Sequence, residues 1–118
     1  MALTIRMAGA MEEAPYPEAF EVCRSCHAYQ AGEEALEGPT LSGVVGRRIA
    51  SIEGYDYSPA LRRLPGTWDR ATLDRFLADP KAFAPGTRMT LGGLRRAADR
   101  ASVIAFLESR GAAQRPSP

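Results

Sequence analysis

The 118-residue chain is predicted to form one small all-α domain. Segments near both ends carry apolar side chains at helical spacing, and shorter helical patterns lie between them. No stretch alternates apolar and polar residues as a half-buried strand would. Aromatic residues make up only 8% of the chain. A core built from side chains alone would therefore be modest, and a large prosthetic group could fill it.

The first helix is predicted in "PEAFEVCRSCH", because Pro17 suits a first turn and Ala19, Phe20, Val22 and Cys23 follow at helical spacing. The glycine-rich "GPTLSGVVGRR", residues 38–48, is predicted to be a loop with buried aliphatic residues. "SPALRRLPG", residues 58–66, is predicted to be one helical turn that starts at Ser-Pro and ends at Pro-Gly.

The next helix is predicted in "TWDRATLDRFLADP", with a cap at Thr67 or Asp69 and an end at Pro80. Its apolar face consists of Leu73, Phe76 and Leu77. From Pro80 to about Arg96 no periodicity appears, and so long an irregular segment in a compact domain indicates a functional role.

The last helix is predicted over about 97–110, and Gly111 is expected to end it. Its apolar stripe consists of Val103, Ile104, Phe106 and Leu107. The predicted domain is residues 15–111, followed by a frayed tail at 112–118. Residues 1–14 lack a continuous apolar region typical of an intact signal peptide and are expected to lie outside the fold.

The net charge is +1, so no strong overall field indicates nucleic acid or anionic membrane as a partner. The charges are uneven, since acidic residues predominate in residues 1–40 and basic residues in 81–118. No apolar run is long enough to span a bilayer.

"VCRSCHAYQ" contains both cysteines and the only histidine of the chain. Two buried thiols beside a surface histidine would explain this pattern poorly. A thioredoxin-like dithiol needs a βαβ context, and structural zinc normally needs four ligands of this type. The C-x-x-C-H spacing favours covalent haem attachment, with Cys23 and Cys26 as thioether anchors and His27 as an iron ligand.

Met89 is the only methionine outside residues 1–14, and it lies in the irregular segment "APGTRMTLGG". A lone methionine is often core filler, but its place in a Gly/Pro loop weakens that interpretation. A thioether as second axial ligand would give Met/His ligation, which suits electron transfer and leaves no open site for a substrate.

From about Ala19 to Leu107 the chain resembles the class I c-type cytochromes, specifically the mitochondrial cytochrome c and bacterial photosynthetic-carrier branch. The motifs that carry the resemblance appear in family order: "CRSCH", "GPTLSGVVGR", "GYDYSPAL", "GTW", "FLADPKAFAPGTRM" and "VIAFL". The resemblance implies one haem c enclosed by a small all-α fold with its terminal helices packed together. It implies a one-electron carrier between respiratory or photosynthetic partners, not an enzyme.

The resemblance also implies roles for single residues. Cys23 and Cys26 would be the thioether anchors, and His27 and Met89 the axial ligands. Pro39 would accept a hydrogen bond from His27. The inner haem propionate would be bound by Arg47, Tyr57 and Trp68. Thr87 would border the methionine side of the haem pocket.

Two departures from the family pattern are Phe76, where tyrosine is common, and Leu61, where asparagine is common. They predict a drier methionine side of the pocket and a somewhat lowered reduction potential.

A basic docking surface for acidic redox partners would comprise Lys81, Arg88, Arg95 and Arg96. The protein is expected to be a monomer, with no membrane span in this chain. The expected location is a bacterial periplasm, with a membrane tether in the native gene product left open. The alternative is a haem domain or subunit of a larger membrane-linked dehydrogenase or oxidase.

Overall fold

The computed structural model describes residues 16–114, with side chains as far as residue 110. A short 3-10 helix, Glu18–Phe20, leads directly into α1, Glu21–Arg24. Four more helices follow: α2, Pro59–Arg62; α3, Arg70–Ala78; α4, Pro80–Phe83; and α5, Ala97–Gln114. Between residues 16 and 114 there is no strand, only one isolated antiparallel bridge from Arg48 to Thr67. The all-α prediction is confirmed.

Side-chain caps start the three central helices. Ser58 accepts a hydrogen bond from the Leu61 amide at the start of α2. The Asp69 carboxylate accepts a hydrogen bond from the Thr72 amide, and the Asp69 amide donates to the Thr72 hydroxyl oxygen, which forms a capping box on α3. Of the two predicted caps for α3, Asp69 is therefore the one that acts.

Three local predictions need correction. The first helical segment is a 3-10 turn followed by a single α turn, and Val22 on it is 49% exposed rather than part of the core. Helix α4 was not predicted, although Asp79 caps it and Pro80 occupies its first turn. Helix α5 continues to Gln114, because an interior glycine costs only about 1 kcal/mol and Gly111 is followed by good helix formers. Residues 1–14, predicted to lie outside the fold, and residues 115–118 of the predicted tail are not among the described residues.

The core forms where α5 packs against α3 and against the 3-10 helix. Phe20 is fully buried, and its ring centroid lies 4.9 Å from that of Phe106. The rings of Tyr16 and Tyr29 complete this cluster at the junction of the two ends of the domain. Val103, Ile104 and Leu107 are buried, as their helical spacing predicts.

The non-helical residues 84–96 between α4 and α5 form the Met89 segment, and its last residues are bonded to the end of α3. The Leu94 amide donates to the Leu77 carbonyl at 2.7 Å, and a Cβ at Gly93 would overlap the Ala78 carbonyl oxygen. Arg100 of α5 donates both to Asp74 and to the Leu94 carbonyl.

No helix in the described part of the chain combines the length and apolar character needed to cross a membrane.

Candidate functional site

A cavity of about 540 Å³ opens between the first helical segment, the central helices and the Met89 segment. Apolar side chains from α3, α5 and the loops form most of its wall. This size lies within the range of small-molecule and cofactor sites. All nine residues predicted to anchor, ligate or contact the cofactor lie on this wall: Cys23, Cys26, His27, Pro39, Arg47, Tyr57, Trp68, Thr87 and Met89.

The two cysteines and His27 are brought together by the turn that ends α1. The Cys23 carbonyl accepts hydrogen bonds from the amides of both Cys26 and His27, at 3.1 and 3.0 Å. Both thiols are free, and burial raises the pKa of Cys23 to about 11. The Cys26 thiol donates to the Glu37 carboxylate at 2.9 Å, and this hydrogen bond raises the pKa of Cys26. As unmodified residues, both cysteines are therefore protonated thiols at neutral pH.

One nitrogen of His27 is already engaged by the protein. Nδ1 lies 2.7 Å from the Pro39 carbonyl oxygen, so it acts as the donor and leaves Nε2 as the basic nitrogen. Burial lowers the pKa of His27, the Pro39 bond opposes this effect, and the charge of Arg47 lowers the pKa further. The imidazole is neutral at pH 7, which is the form that binds a metal ion.

The backbone before Pro39 fits closely around the His27 ring. Gly38 is buried, and its amide donates to the Cys26 carbonyl at 2.7 Å. A Cβ at position 38 would lie 2.6 Å from Nδ1 and 2.8 Å from Nε2 of His27. Only glycine leaves room for the ring at this position, so the sequence "GP" supplies both the space and the acceptor that orient the histidine.

Met89 lies on the same cavity, supported by its own segment. The Met89 amide donates to the Thr87 hydroxyl oxygen at 3.3 Å, and Met89 itself is half-buried. Phe76 and Leu61 also line the cavity. Neither offers a polar group, so the two departures from the family pattern lie where a hydroxyl and an amide would otherwise face the cavity.

Three further wall residues carry hydrogen-bond donors into a mostly apolar space. Arg47 donates to the carbonyls of Thr40 and Ser42, and burial lowers the pKa of its guanidinium. The Tyr57 hydroxyl accepts from the Ile52 amide at 3.2 Å, so its hydrogen is available for another acceptor. Trp68 is held beside Arg47, since the Trp68 amide donates to the Arg47 carbonyl at 2.9 Å. Guanidinium, hydroxyl and indole N–H groups suit a buried carboxylate.

Three polar residues on the cavity wall had no role predicted from the sequence. They are Glu37, Tyr55 and Asp56. The Tyr55 hydroxyl donates to the Glu37 carbonyl at 2.7 Å, and Asp56 pairs with Arg62 and Arg88. Apart from Asp56 and Arg62, which are six positions apart, these contacts join residues that only the fold brings together.

The residues fit one kind of group better than others. Among the described residues, no cluster of three or more His, Cys, Asp or Glu side chains could hold a bare metal ion. Two thiols, a neutral oriented imidazole, a thioether and donors for carboxylates instead share one apolar cavity. This fold and this set of groups fit an iron-bearing tetrapyrrole in a small helical domain better than they fit a bare metal ion.

Comparison with known proteins agrees with this class. No family model matches the chain. The chain is 43% identical over 93 residues to cytochrome c2 iso-2 of Magnetospirillum fulvum, which covers 79% of this chain and 96% of that protein. It is 46% identical over 89 residues to the c-type cytochrome cy of Rhodobacter capsulatus, which covers 75% of this chain but 44% of that protein.

A solved structure has the same fold. Cytochrome cH from Methylobacterium extorquens superposes with a TM-score of 0.70 at 39% identity, over 78% of this chain and 92% of that one. The chain belongs to the class I c-type cytochromes. It is an electron-transfer protein of the haem c type rather than an enzyme.

Proposed function

We propose that the chain binds a single haem c and serves as a one-electron carrier between respiratory or photosynthetic redox partners. Cys23 and Cys26 are its thioether anchors, and His27 and Met89 its axial ligands. One observation carries the proposal: the C-x-x-C-H turn, a histidine already oriented by Pro39, and the Met89 segment all border one apolar cavity. When bound, the haem iron supplies a reversible one-electron couple.

The surrounding residues have separate roles in this carrier. Pro39 and Gly38 hold the His27 ring and keep Nε2 basic. Arg47, Tyr57 and Trp68 bind the inner propionate, which offsets the cost of burying that charge. Thr87 supports the backbone at Met89. Because the protein supplies both axial ligands, no coordination position is left for a substrate, and electrons must pass through the haem edge.

The attachment is tested by the mass and the absorption spectrum of the purified protein. Wild type should keep the haem mass after denaturation, whereas Cys23→Ser/Cys26→Ser should lose it. Met89→Leu should remove the spectral signature of thioether ligation without removing the haem. Leu91→Met serves as a control, because a nearby extra thioether should leave the spectrum unchanged. A wild-type protein that releases its haem on denaturation would refute the thioether anchors.

The partners are proposed to carry acidic docking patches. Lys81, Arg88, Arg95 and Arg96 are all exposed, which is what such docking requires. The relevant compartment is proposed to be a bacterial periplasm. Cell fractionation of the native organism would test this, because haem protein found only in the cytoplasmic fraction would contradict it.

A second possibility is a haem domain of a larger membrane-linked complex. The R. capsulatus relative favours it, because the matched region is less than half of that protein. The two possibilities differ in the native gene product. Haem protein released with the soluble periplasmic contents supports the free carrier. Haem protein that stays with washed membranes supports the anchored or fused form.

A further inference from the structure

Asp56 lies between two arginines that come from different parts of the chain. Its Oδ1 accepts a hydrogen bond from Arg62 Nη2 at 2.5 Å, and its Oδ2 lies 3.5 Å from Arg88 Nη1. The same Arg88 Nη1 donates to the Asp56 backbone carbonyl at 2.7 Å. One residue thus connects α2 with the segment that carries Met89, across 32 positions of sequence.

This connection acts at the middle of the Met89 segment. The end of the segment is tied to α3 by the Leu94–Leu77 hydrogen bond, and its start is held by the Thr87 amide, which donates to the Ala84 carbonyl. Arg88 is the direct neighbour of Met89, and both Asp56 and Arg88 line the cavity. The contact of Arg88 with Asp56 therefore joins the Met89 backbone to the opposite rim of the cavity.

We infer that Asp56 is a positioning residue for Met89, which it holds at the cavity through Arg88. Arg62 supports it, because the second guanidinium orients the Asp56 carboxylate. The inference rests on the proposed function only in treating Met89 as an iron ligand. The tether formed by Asp56, Arg62 and Arg88 is itself a property of the fold.

The contacts predict a rank order among variants. All three side chains are more than half exposed, so each ion pair alone is weak. The hydrogen bond from Arg88 to the Asp56 carbonyl has a charged donor, and it survives when the carboxylate is removed. Arg88→Gln should therefore loosen the segment more than Asp56→Asn, and Arg62→Gln should have the smallest effect of the three.

Hydrogen exchange of the Thr87 and Met89 amides in the haem-loaded protein measures this loosening. At low ionic strength we expect exchange about tenfold faster in Arg88→Gln and about threefold faster in Asp56→Asn. Arg63→Gln is the matched control, since it removes a neighbouring exposed charge that makes no ion pair with any described residue. The double variant Asp56→Asn/Arg88→Gln should exchange no faster than Arg88→Gln alone, and salt should remove the effect of Asp56→Asn.

Two outcomes overturn the inference. In one, Asp56→Asn and Arg63→Gln give the same exchange rates for both amides. In the other, Asp56→Asn speeds exchange only in residues 52–58, which would make Asp56 a local support for its own loop. A spectrum of the same samples reports separately whether Met89 binds the iron. Failure of the tether can therefore be told apart from failure of the proposed iron ligation.

Discussion

Gly38 shows how one residue without a side chain determines the orientation of a functional ring. Its position against His27 leaves no space for a Cβ, and the next residue supplies the carbonyl that Nδ1 binds. The 2.7 Å hydrogen bond from the half-buried imidazole would be lost if the ring were pushed aside. Space and hydrogen bonding at this site are therefore coupled through adjacent residues.

Gly38→Ala should destabilise the haem-loaded protein and lower its haem content. Overpacking of this kind costs about 1–3 kcal/mol, since either the ring or the loop must shift. Thermal unfolding and haem-to-protein ratio measure the effect. Gly92→Ala is the control, because a Cβ there would meet no atom within 4 Å. Equal stability of the two variants would show that the His27 ring is not confined by Gly38.

Phe76 determines the polarity of the cavity near Met89. It is buried, its ring centroid lies 5.3 Å from that of Trp68, and it offers no hydroxyl to a methionine sulfur. An unbonded thioether donates more electron density to iron, which favours the oxidised state. The proposed carrier should therefore have a lower reduction potential than a version with tyrosine at this position.

Phe76→Tyr should raise the reduction potential by about 40 mV, if its hydroxyl gains one hydrogen bond to the Met89 sulfur. Redox titration measures the potential. Phe83→Tyr is the control, because Phe83 packs against Phe76 but is not part of the cavity wall. An unchanged or lower potential in Phe76→Tyr would contradict the expectation.

Among the elements, α3 is a nine-residue helix that carries Leu73, Phe76 and Leu77 into the core, so its first turn matters for the packing of the domain. Its capping box satisfies backbone groups that such a short helix leaves unpaired. The bonds from Thr72 to Asp69 lower the pKa of that carboxyl. The cap is therefore strongest when Asp69 is ionised.

Asp69→Ala should lower the melting temperature by about 4 °C at neutral pH. Because the folded-state pKa of Asp69 lies below its ordinary value of 3.8, the stabilisation is present above that pH. It is lost as the pH falls through the folded-state value. The difference between variant and wild type should therefore shrink in acid. Thr67→Ala is the control, and a similar loss there would mean that the capping assignment is wrong.

The elements also show which features a sequence can predict. Helices α2, α3 and α5 were predicted, because caps, prolines and an apolar stripe are local signals. Helix α4 was missed because four residues contain no periodicity, although the Asp79-Pro80 pair marked its start. At the site, the nine predicted residues came from motifs and from family resemblance. The contacts of Glu37, Tyr55 and Asp56 could not be predicted, since each depends on loops that meet only in the folded chain.

On the scale of the whole molecule, the charges are separated along the chain and only partly neutralised. Arg88 and Arg62 share the carboxylate of Asp56, so the predicted docking surface is less positive than a count of its arginines suggests. Arg95 and Arg96 are exposed at the end of the Met89 segment, and Glu33 and Glu34 are exposed in the loop after His27. We therefore expect an approaching partner to meet a dipole rather than a uniformly basic surface.

This dipole predicts how small electron acceptors of opposite charge should react with the reduced protein. Oxidation by hexacyanoferrate(III) should slow as ionic strength rises, because screening weakens its attraction to the basic side. Oxidation by the cation tris(1,10-phenanthroline)cobalt(III) should respond weakly or in the opposite direction. Arg95→Gln/Arg96→Gln should slow the hexacyanoferrate reaction about twofold to threefold at low salt. The matched control Glu33→Gln/Glu34→Gln should not slow it, since it removes repulsion on the acidic side. A hexacyanoferrate rate that does not change with salt or with Arg95→Gln/Arg96→Gln would mean that electrons leave through a surface these arginines do not influence.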